Sequence, residues 1–325
     1  MVIVRNHQPY KIYKREKLLG HDSQARISKQ GPSKDYLIDL QNNIVGTVEL
    51  VDGKNFLHDS WQRKEGGGGT TCIMENGYIF ERAGVGFSHV VGSKLPKSAT
   101  DAHPEVANRK WEAMGVSLVF HPNNPFIPTV HMNVRFLVAS KKGYPDIWWF
   151  GGGMDLTPYY PFIEDVIHFH QTIKTAITPY GQDLYVKFKE QCDDYFYLKH
   201  RDEPRGVGGI FFDDFNEKNF NHSFNLTKSV GDNLLNAYMP ILQKRKDISY
   251  NKRQKDFQLY RRSRYVEFNL LQDRGTLFGI QSKGRIESIL MSMPPVVKWS
   301  YDWVPEKDSD EEKLYTKFLV KKSWV

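Results

Sequence analysis

Gly115-Val116-Ser117-Leu118-Val119-Phe120-His121, followed by His131-Met132-Asn133-Val134-Arg135-Phe136-Leu137-Val138, is the stretch that decides the fold. In a β-strand successive side chains point to opposite faces. That period sends His131, Asn133 and Arg135 one way and Met132, Val134, Phe136 and Val138 the other. In the first run it sets Ser117 and His121 opposite Leu118 and Phe120. A proton carrier, a hydroxyl, an amide and a guanidinium then share one sheet surface, with a hydrophobic layer behind it. Such a surface suits a ligand that carries carboxylates. Trp148-Trp149-Phe150-Gly151-Gly152-Gly153-Met154-Asp155-Leu156-Thr157-Pro158-Tyr159-Tyr160 follows and is too idiosyncratic for a generic structural phrase.

Working outward, Asp35 to Val51 reads as a helix, with Leu37, Leu40, Ile44, Val48 and Val51 at helical spacing. Gly66–Gly69 reads as a flexible connection. Strands are expected at Thr71–Met74 and Tyr78–Glu81, joined by the turn signal Glu75-Asn76-Gly77. Pro161 opens a helix with the apolar stripe Ile163, Val166, Ile167, Ile173 and Ile177. Further helices are expected over 183–199 and 228–245. Gly206–Phe212 reads as a buried strand ending at Asp213-Asp214. Late strands are expected at Tyr265–Leu271, Thr276–Gln281 and Ser288–Met293. Strands before, between and after helices imply an α+β fold: a single domain over 35–325, built on a large antiparallel β-sheet flanked by helices on both faces.

At 325 residues the chain is long enough for one large domain or two ordinary ones, and 40% hydrophobic residues allow a sizeable core. Seven Trp, seventeen Tyr and twenty Phe provide broad flat surfaces for core layers or for a planar ligand. No apolar run approaches the roughly eighteen residues of a membrane span. The net charge of +7 is unevenly spread. Residues 1–34 carry eight Lys and Arg against Glu16 and Asp22, so a basic extension accounts for +6 and the rest of the chain for +1. A nucleic-acid footprint covers a folded face, so no nucleic-acid partner is expected. Cys72 and Cys192 are too few and too far apart for a disulfide framework, which fits a reducing, cytoplasmic compartment.

His131 is the leading acid–base candidate, since an imidazole titrates near neutrality. His121, His131, His170 and His200 together would make a four-histidine metal site, but their spacings match no metal motif and read as satisfied core histidines. Arg262 and Arg264, in a strand register, would project on one side toward carboxylates. Asp273-Arg274-Gly275 and Lys283-Gly284-Arg285 read as charged hairpin turns at sheet ends. The glycine runs lack the context of a P-loop or a dinucleotide fingerprint, so neither nucleotide nor flavin is expected.

Taken together, several phrases resemble the oxygen-dependent coproporphyrinogen III oxidases of haem biosynthesis. They are Asp59-Ser60-Trp61-Gln62-Arg63 with Gly66–Gly69, Gly115-Val116-Ser117, His121-Pro122, His131–Phe136, Trp148–Tyr160, Tyr195–His200, Arg205–Asp214, Tyr265–Gly279 and Glu287–Pro294. They run in order over roughly 56–305. The resemblance implies oxidative decarboxylation of two propionates of coproporphyrinogen III to vinyl groups by molecular oxygen, giving protoporphyrinogen IX. It implies that His131 is the proton donor and that Asp155, Asp273 and Arg274 line the reacting centre. Ser117, Asn133, Val134, Arg135, Lys283, Gly284 and Arg285 would hold the substrate. It also implies a homodimer with an interface in about 265–300. In bacterial relatives a divalent metal such as Mn is proposed on histidines matching His121, His131, His170 and His200. A non-catalytic tetrapyrrole carrier on the same fold is the alternative, against which the joint presence of His131, Asp155, Asp273 and Arg274 weighs. Lys283 stands where many relatives have glycine, and residues 1–34 lie outside the resemblance.

Overall fold

The structure, a computed structural model, describes residues 30–93, 95, 103–282 and 284–325. It is built on a seven-stranded sheet in the order β1 (Leu57–Gln62), β2 (Gly67–Glu75), β3 (Phe80–Gly92), β4 (Lys110–Pro122), β5 (Thr129–Ser140), β6 (Ile147–Thr157) and β9 (Gly208–Phe215). Every neighbouring pair is antiparallel. The short strands β7 (Tyr197–Leu198) and β8 (Glu203–Pro204) pair with each other apart from it.

One sheet face meets a large hydrophobic core. Val85, Met114, Val116, Leu118, Met132, Val134, Phe136 and Met154 project into it from the strands. The helix α1 (Gln30–Asp52) covers them with Leu37, Leu40, Ile44 and Val48, the residues whose spacing marked it. The helices α2 (Ile163–Ile177), α3 (Leu184–Tyr195), α4 (Phe220–Asp232) and α5 (Leu234–Arg245) complete that layer. In α2 the buried stripe is Val166, Phe169, His170, Ile173 and Ile177, while Ile163 and Ile167 of the expected stripe are exposed. The two outer isoleucines lie on the flank of that stripe, beyond the width of the buried face.

The other face is covered by an arm of helices, α6 (Lys252–Leu271), α7 (Arg274–Gln281) and α8 (Ile286–Leu290), which stand where the sequence reading expected strands. In α6 the alternation of Tyr265, Val266, Glu267 and Phe268 imitates a strand. Phe257, Tyr260, Arg261, Arg264, Tyr265 and Phe268 nevertheless recur at three- and four-residue spacing, and all are buried. Asn251 and Gln254 start the helix with a reciprocal capping box. The helix was hidden because arginines occupy part of its buried face. Arg262 reaches Glu81 at 2.5 Å and the Pro122 carbonyl at 2.9 Å, and Arg261 reaches Glu203 at 2.8 Å. These arginines bind carboxylates of the protein itself, so they are not a ligand fork.

Three smaller boundaries also differ. The expected 228–245 helix is two helices meeting at Asn233. Gly68 and Gly69 are paired on both sides within β2 and Gly67 with β3, so they are no loose connection. The first helix begins at Gln30, inside the segment read as an extension, while residues 1–29 lie outside those described.

Candidate active site

The register of β4, β5 and β6 builds the site in cross-strand rows. Ser117 stands opposite Asn133, and Asn133 opposite Gly153. Gly115, Arg135 and Gly151 form the next row, and Val119, His131 and Asp155 the row on the other side. Along β5, His131, Asn133 and Arg135 are half-buried while Met132, Val134 and Phe136 are buried, the alternation the sequence predicts. Glycine at 115, 151 and 153 keeps this floor low, so that side chains can lie flat on it. The Arg135 guanidinium does so at Gly151, where a Cβ would come within 2.8 Å of it.

His131 is held from behind. Its Nδ1 lies 2.8 Å from Asp155 Oδ1, and since a carboxylate accepts, Nδ1 carries the proton and Nε2 is left for the open side. The second Asp155 oxygen accepts from Arg205 at 2.7 Å. Arg205 is enclosed by the rings of Phe196, Tyr265 and Phe268, with its guanidinium 4.0 to 4.8 Å from their centroids. Burial alone would raise the Asp155 pKa, but the Arg205 charge and the bonds from His131 and Arg205 hold it below the usual carboxylate range. The carboxylate is therefore charged at neutral pH and fixes the tautomer and orientation of the His131 ring. Asp155 is 2% exposed against 21% for the His131 side chain. Its carboxylate faces the His131 ring on one side and the Arg205 guanidinium on the other.

A second ionic group flanks the floor. Asp213 Oδ1 accepts from Arg135 at 2.8 Å, and Asp213 Oδ2 lies 3.5 Å from Arg274. Arg135 also donates to Asn133 Oδ1 at 2.8 Å. Burial opposes the charge on Asp213, but Arg135 and then Arg274 overcome it and hold its pKa low. A bulge aims this carboxylate. Phe150 pairs with Phe215 and Gly152 with Phe212, so β9 carries one extra residue there, and Asp214 takes a φ of 53° to accommodate it. Tyr195 and Phe211 stack at 4.3 Å beneath the Arg274 guanidinium, which lies 4.9 Å from the Tyr195 ring.

Asp273 begins α7. Its Oδ2 accepts from the Thr276 amide and hydroxyl, both at 2.8 Å, and its Oδ1 accepts from the Tyr195 hydroxyl at 2.7 Å. Against the effect of burial, these bonds hold its pKa below the ordinary value. The expected tight turn is thus a helix N-cap, in which Asp273 has a structural task and one free lone pair on Oδ1. The Tyr195 hydroxyl accepts from the Arg274 amide at 3.0 Å, fixing that residue at the rim.

Other expected site residues stand apart. Val134 is wholly buried on the core face, so only its backbone adjoins the floor. Lys283 lies outside the described residues. The Gly284 amide donates to the Gly279 carbonyl at 2.7 Å, closing the α7–α8 corner in place of the expected hairpin. Arg285 pairs with Asp59 of β1 at 2.5 Å, four strands from β5, or about 19 Å at the usual strand spacing. Met291 rests between them on Gly84 and Gly86 of β3.

The four histidines are not gathered either. His121 Nε2 donates to the Ser292 carbonyl at 2.8 Å and its Nδ1 meets the Thr129 hydroxyl at 3.3 Å. His170 Nε2 donates to the Val207 carbonyl at 3.1 Å and its Nδ1 meets Tyr185 at 2.9 Å. His200 is bonded to Glu267 at 2.7 Å and to Gln272 at 3.2 Å. Burial drives the pKa of His121 well down and that of His170 to about 3. With both nitrogens of His121, His170 and His200 committed to other partners, these residues and His131 do not fit a shared metal within one chain. Among the described residues no group of three or more His, Cys, Asp or Glu is placed to hold an ion.

Asp213, Arg205 and Tyr195 are the site residues to which the sequence reading gave no role. The acidic pair closing a buried strand was the available signal for Asp213. A further cavity of about 710 Å³ opens past the C-terminal end of α7, between Arg63, Lys110, Trp111 and Gln281. It does not include His131 or Arg135, and the eight residues of α7, about 12 Å long, separate it from Asp273. Compared with known families, residues 33–324 match the family model described as coproporphyrinogen III oxidase.

Proposed function

The chain belongs to the coproporphyrinogen III oxidase family, and from that premise we propose that it uses molecular oxygen to convert two propionates of coproporphyrinogen III into vinyl groups, giving protoporphyrinogen IX. Each propionate, with one oxygen molecule and one proton, gives a vinyl group, carbon dioxide and hydrogen peroxide. The C–COO⁻ bond breaks, a neighbouring C–H bond is lost, and oxygen takes up the two electrons.

The observation that carries this reading is the charge-supported His131–Asp155 pair on a glycine floor beside Arg135 and Arg274. The two guanidiniums offer bidentate partners to a propionate. His131 Nε2, backed by Asp155, supplies the proton that the reduced oxygen takes up. The free lone pair of Asp273 accepts a pyrrole N–H, which raises electron density on the ring to be oxidised. The flat floor and the Tyr195–Phe211 stack suit the individual pyrrole rings of the macrocycle. The cavity beyond α7, with Arg63 and Lys110, would take side chains that do not react.

A homodimer and a cytoplasmic setting belong to the same reading. Leu270, Leu271, Leu277, Ile280, Ile286 and Leu290 are exposed in the arm and Val296 and Trp299 just after it, a concentration of apolar surface that suits a subunit interface. No helix among the described residues is long and apolar enough to cross a membrane. Both cysteines are free and buried, as suits a reducing compartment. The histidine geometry offers no support within one chain for a divalent metal such as Mn, and no step above is routed through one.

The test is turnover of coproporphyrinogen III by chelator-treated protein, in air and under argon, with and without added Mn²⁺, followed by the fluorescence of oxidised product. Protoporphyrin formed in air alone, with carbon dioxide released, is the expected result. Substrate binding without product in air would favour the carrier. Activity that returns only with Mn²⁺ would require the histidines to rearrange or to be completed from a second subunit.

A further inference from the structure

Among the described residues Asp213 is the carboxylate that touches both Arg135 and Arg274, and it treats them differently. Toward Arg135 it makes a 2.8 Å bond, and Arg135 is further pinned by Asn133 and laid on Gly151. Toward Arg274 it makes only a 3.5 Å contact, and the Arg274 side chain is 62% exposed. Arg135 is thereby built into the sheet. Arg274 is held by a loose ionic contact and the stacked faces of Tyr195 and Phe211.

From this asymmetry, and resting on the function proposed above, we infer that Asp213 is a resident stand-in for a substrate propionate and sets how tightly the site grips carboxylates. An arriving propionate replaces Asp213 on Arg274, while Asp213 stays on Arg135 and keeps that arm in place. The exchange swaps one ion pair for another, so the net gain is smaller than a bare guanidinium would give. A weakened grip matters for this reaction. Two propionates of one molecule must be presented to one His131, so after the first decarboxylation the intermediate has to let go, turn and bind again by another carboxylate. Asp213 supplies the competing anion that makes release possible. Its role is positioning and specificity, with no bond made or broken on it.

The experiment compares wild type, Asp213→Asn, Arg274→Gln and the double variant in binding coproporphyrin III, the unreactive oxidised tetracarboxylate, by fluorescence titration at low and high salt. Asparagine keeps the shape of Asp213 and a bond to Arg135 while removing the competing charge. Asp213→Asn is expected to tighten coproporphyrin III binding by roughly five- to tenfold at low salt, the order of one exposed charge contact. In the Arg274→Gln background that gain should vanish. During turnover of coproporphyrinogen III, Asp213→Asn should lower KM and kcat together, with the monovinyl tripropionate intermediate accumulating. Looser or unchanged binding in a variant of unaltered Tm would overturn the stand-in role, as would tightening that survives in the double variant. Failure of the wild type to oxidise coproporphyrinogen III would instead overturn the function on which the inference rests, because the porphyrin titration does not depend on catalysis.

Discussion

The two halves of the site are held in place by different forces. The floor, β4 to β6, stands on Val116, Met132, Val134 and Phe136, all buried against the main core. The arm, α6 to α8, buries Phe257, Tyr260 and Phe268 in smaller clusters outside that core and is tied to the sheet by polar bonds. Thr71 meets Ser288 at 2.6 Å, Arg63 donates to the Ser282 carbonyl at 2.8 Å, Arg82 donates to the Met293 carbonyl at 2.9 Å, and Gln258 donates to the Pro122 carbonyl at 2.9 Å. The outer side of the arm keeps its leucines exposed. A surface anchored by apolar burial is rigid and resistant to slipping, because a one-residue shift would turn its whole hydrophobic set outward. A surface docked by hydrogen bonds depends on geometry and exchanges more readily with water. His131 and Arg135 therefore sit on the stiff half, and Arg274 and Asp273 on the half better able to adjust to a ligand.

The sharpest way to break this contrast is to attack the floor from beneath. Asp155→Ala strands the buried Arg205 charge and frees His131. Loss of about 3–5 kcal/mol of stability is expected, together with a fall in kcat on the order of 10²–10⁴. Chemical denaturation and steady-state kinetics measure both, and a stable variant of normal kcat would show that the Asp155–Arg205 pair does not support the histidine.

Glycine substitutions then separate backbone from ligand surface within one strand. A Cβ at Gly153 would lie 2.2 Å from the Ile210 carbonyl, whereas one at Gly151 would first meet the end of the Arg135 side chain. Gly153→Ala should lose about 2 kcal/mol or more by forcing β6 from β9. Gly151→Ala should keep its Tm and raise KM severalfold. Equal loss of stability in both variants would mean that Arg135 cannot move off the floor.

Acid distinguishes the packed layer from the arm by way of His170. Its pKa is about 3 in the folded protein, against an ordinary value of 6.5. The unfolded chain thus takes up a proton below about pH 6.5 that the native state refuses. Stability on this account is complete above that pH and declines as pH falls toward 3, by about 1 kcal/mol per pH unit for this residue. His170→Gln should flatten the decline between pH 6 and pH 4 in urea unfolding, and an unchanged slope would remove His170 as its source. The smallest effect is expected in the arm itself. Asp273→Ala removes the cap of α7 and should cost about 1 kcal/mol, with a larger fractional loss in kcat/KM than in Tm.

The same contrast explains what could be read from the sequence. The strands of the floor were legible because one of their faces meets oil and the other does not, so alternation in His131–Val138 and burial carry the same information. Leu37 to Val48 marked α1 for the same reason. The arm was misread because Arg261, Arg262 and Arg264 are buried through Glu81 and Glu203. Their partners lie 58 to 181 residues away, and pattern alone does not reveal them. That His131, Asn133 and Arg135 share one face was legible at once, from the alternation along one strand. Asp213 was missed because its meaning depends on a bulge and on Arg274, brought beside it by a helix from another part of the chain. The basic character of Arg285 was seen, but only the sheet order shows that it answers Asp59 at the far edge.

The most direct measurement is aerobic oxidation of coproporphyrinogen III by wild type and His131→Ala, with coproporphyrin III binding measured on the same samples. The expected result is protoporphyrin from the wild type, and from His131→Ala intact binding with turnover reduced on the order of 10²–10⁴. Turnover within a few-fold of wild type in His131→Ala would contradict the central claim that the Asp155-backed histidine on the sheet floor supplies the proton for the reaction.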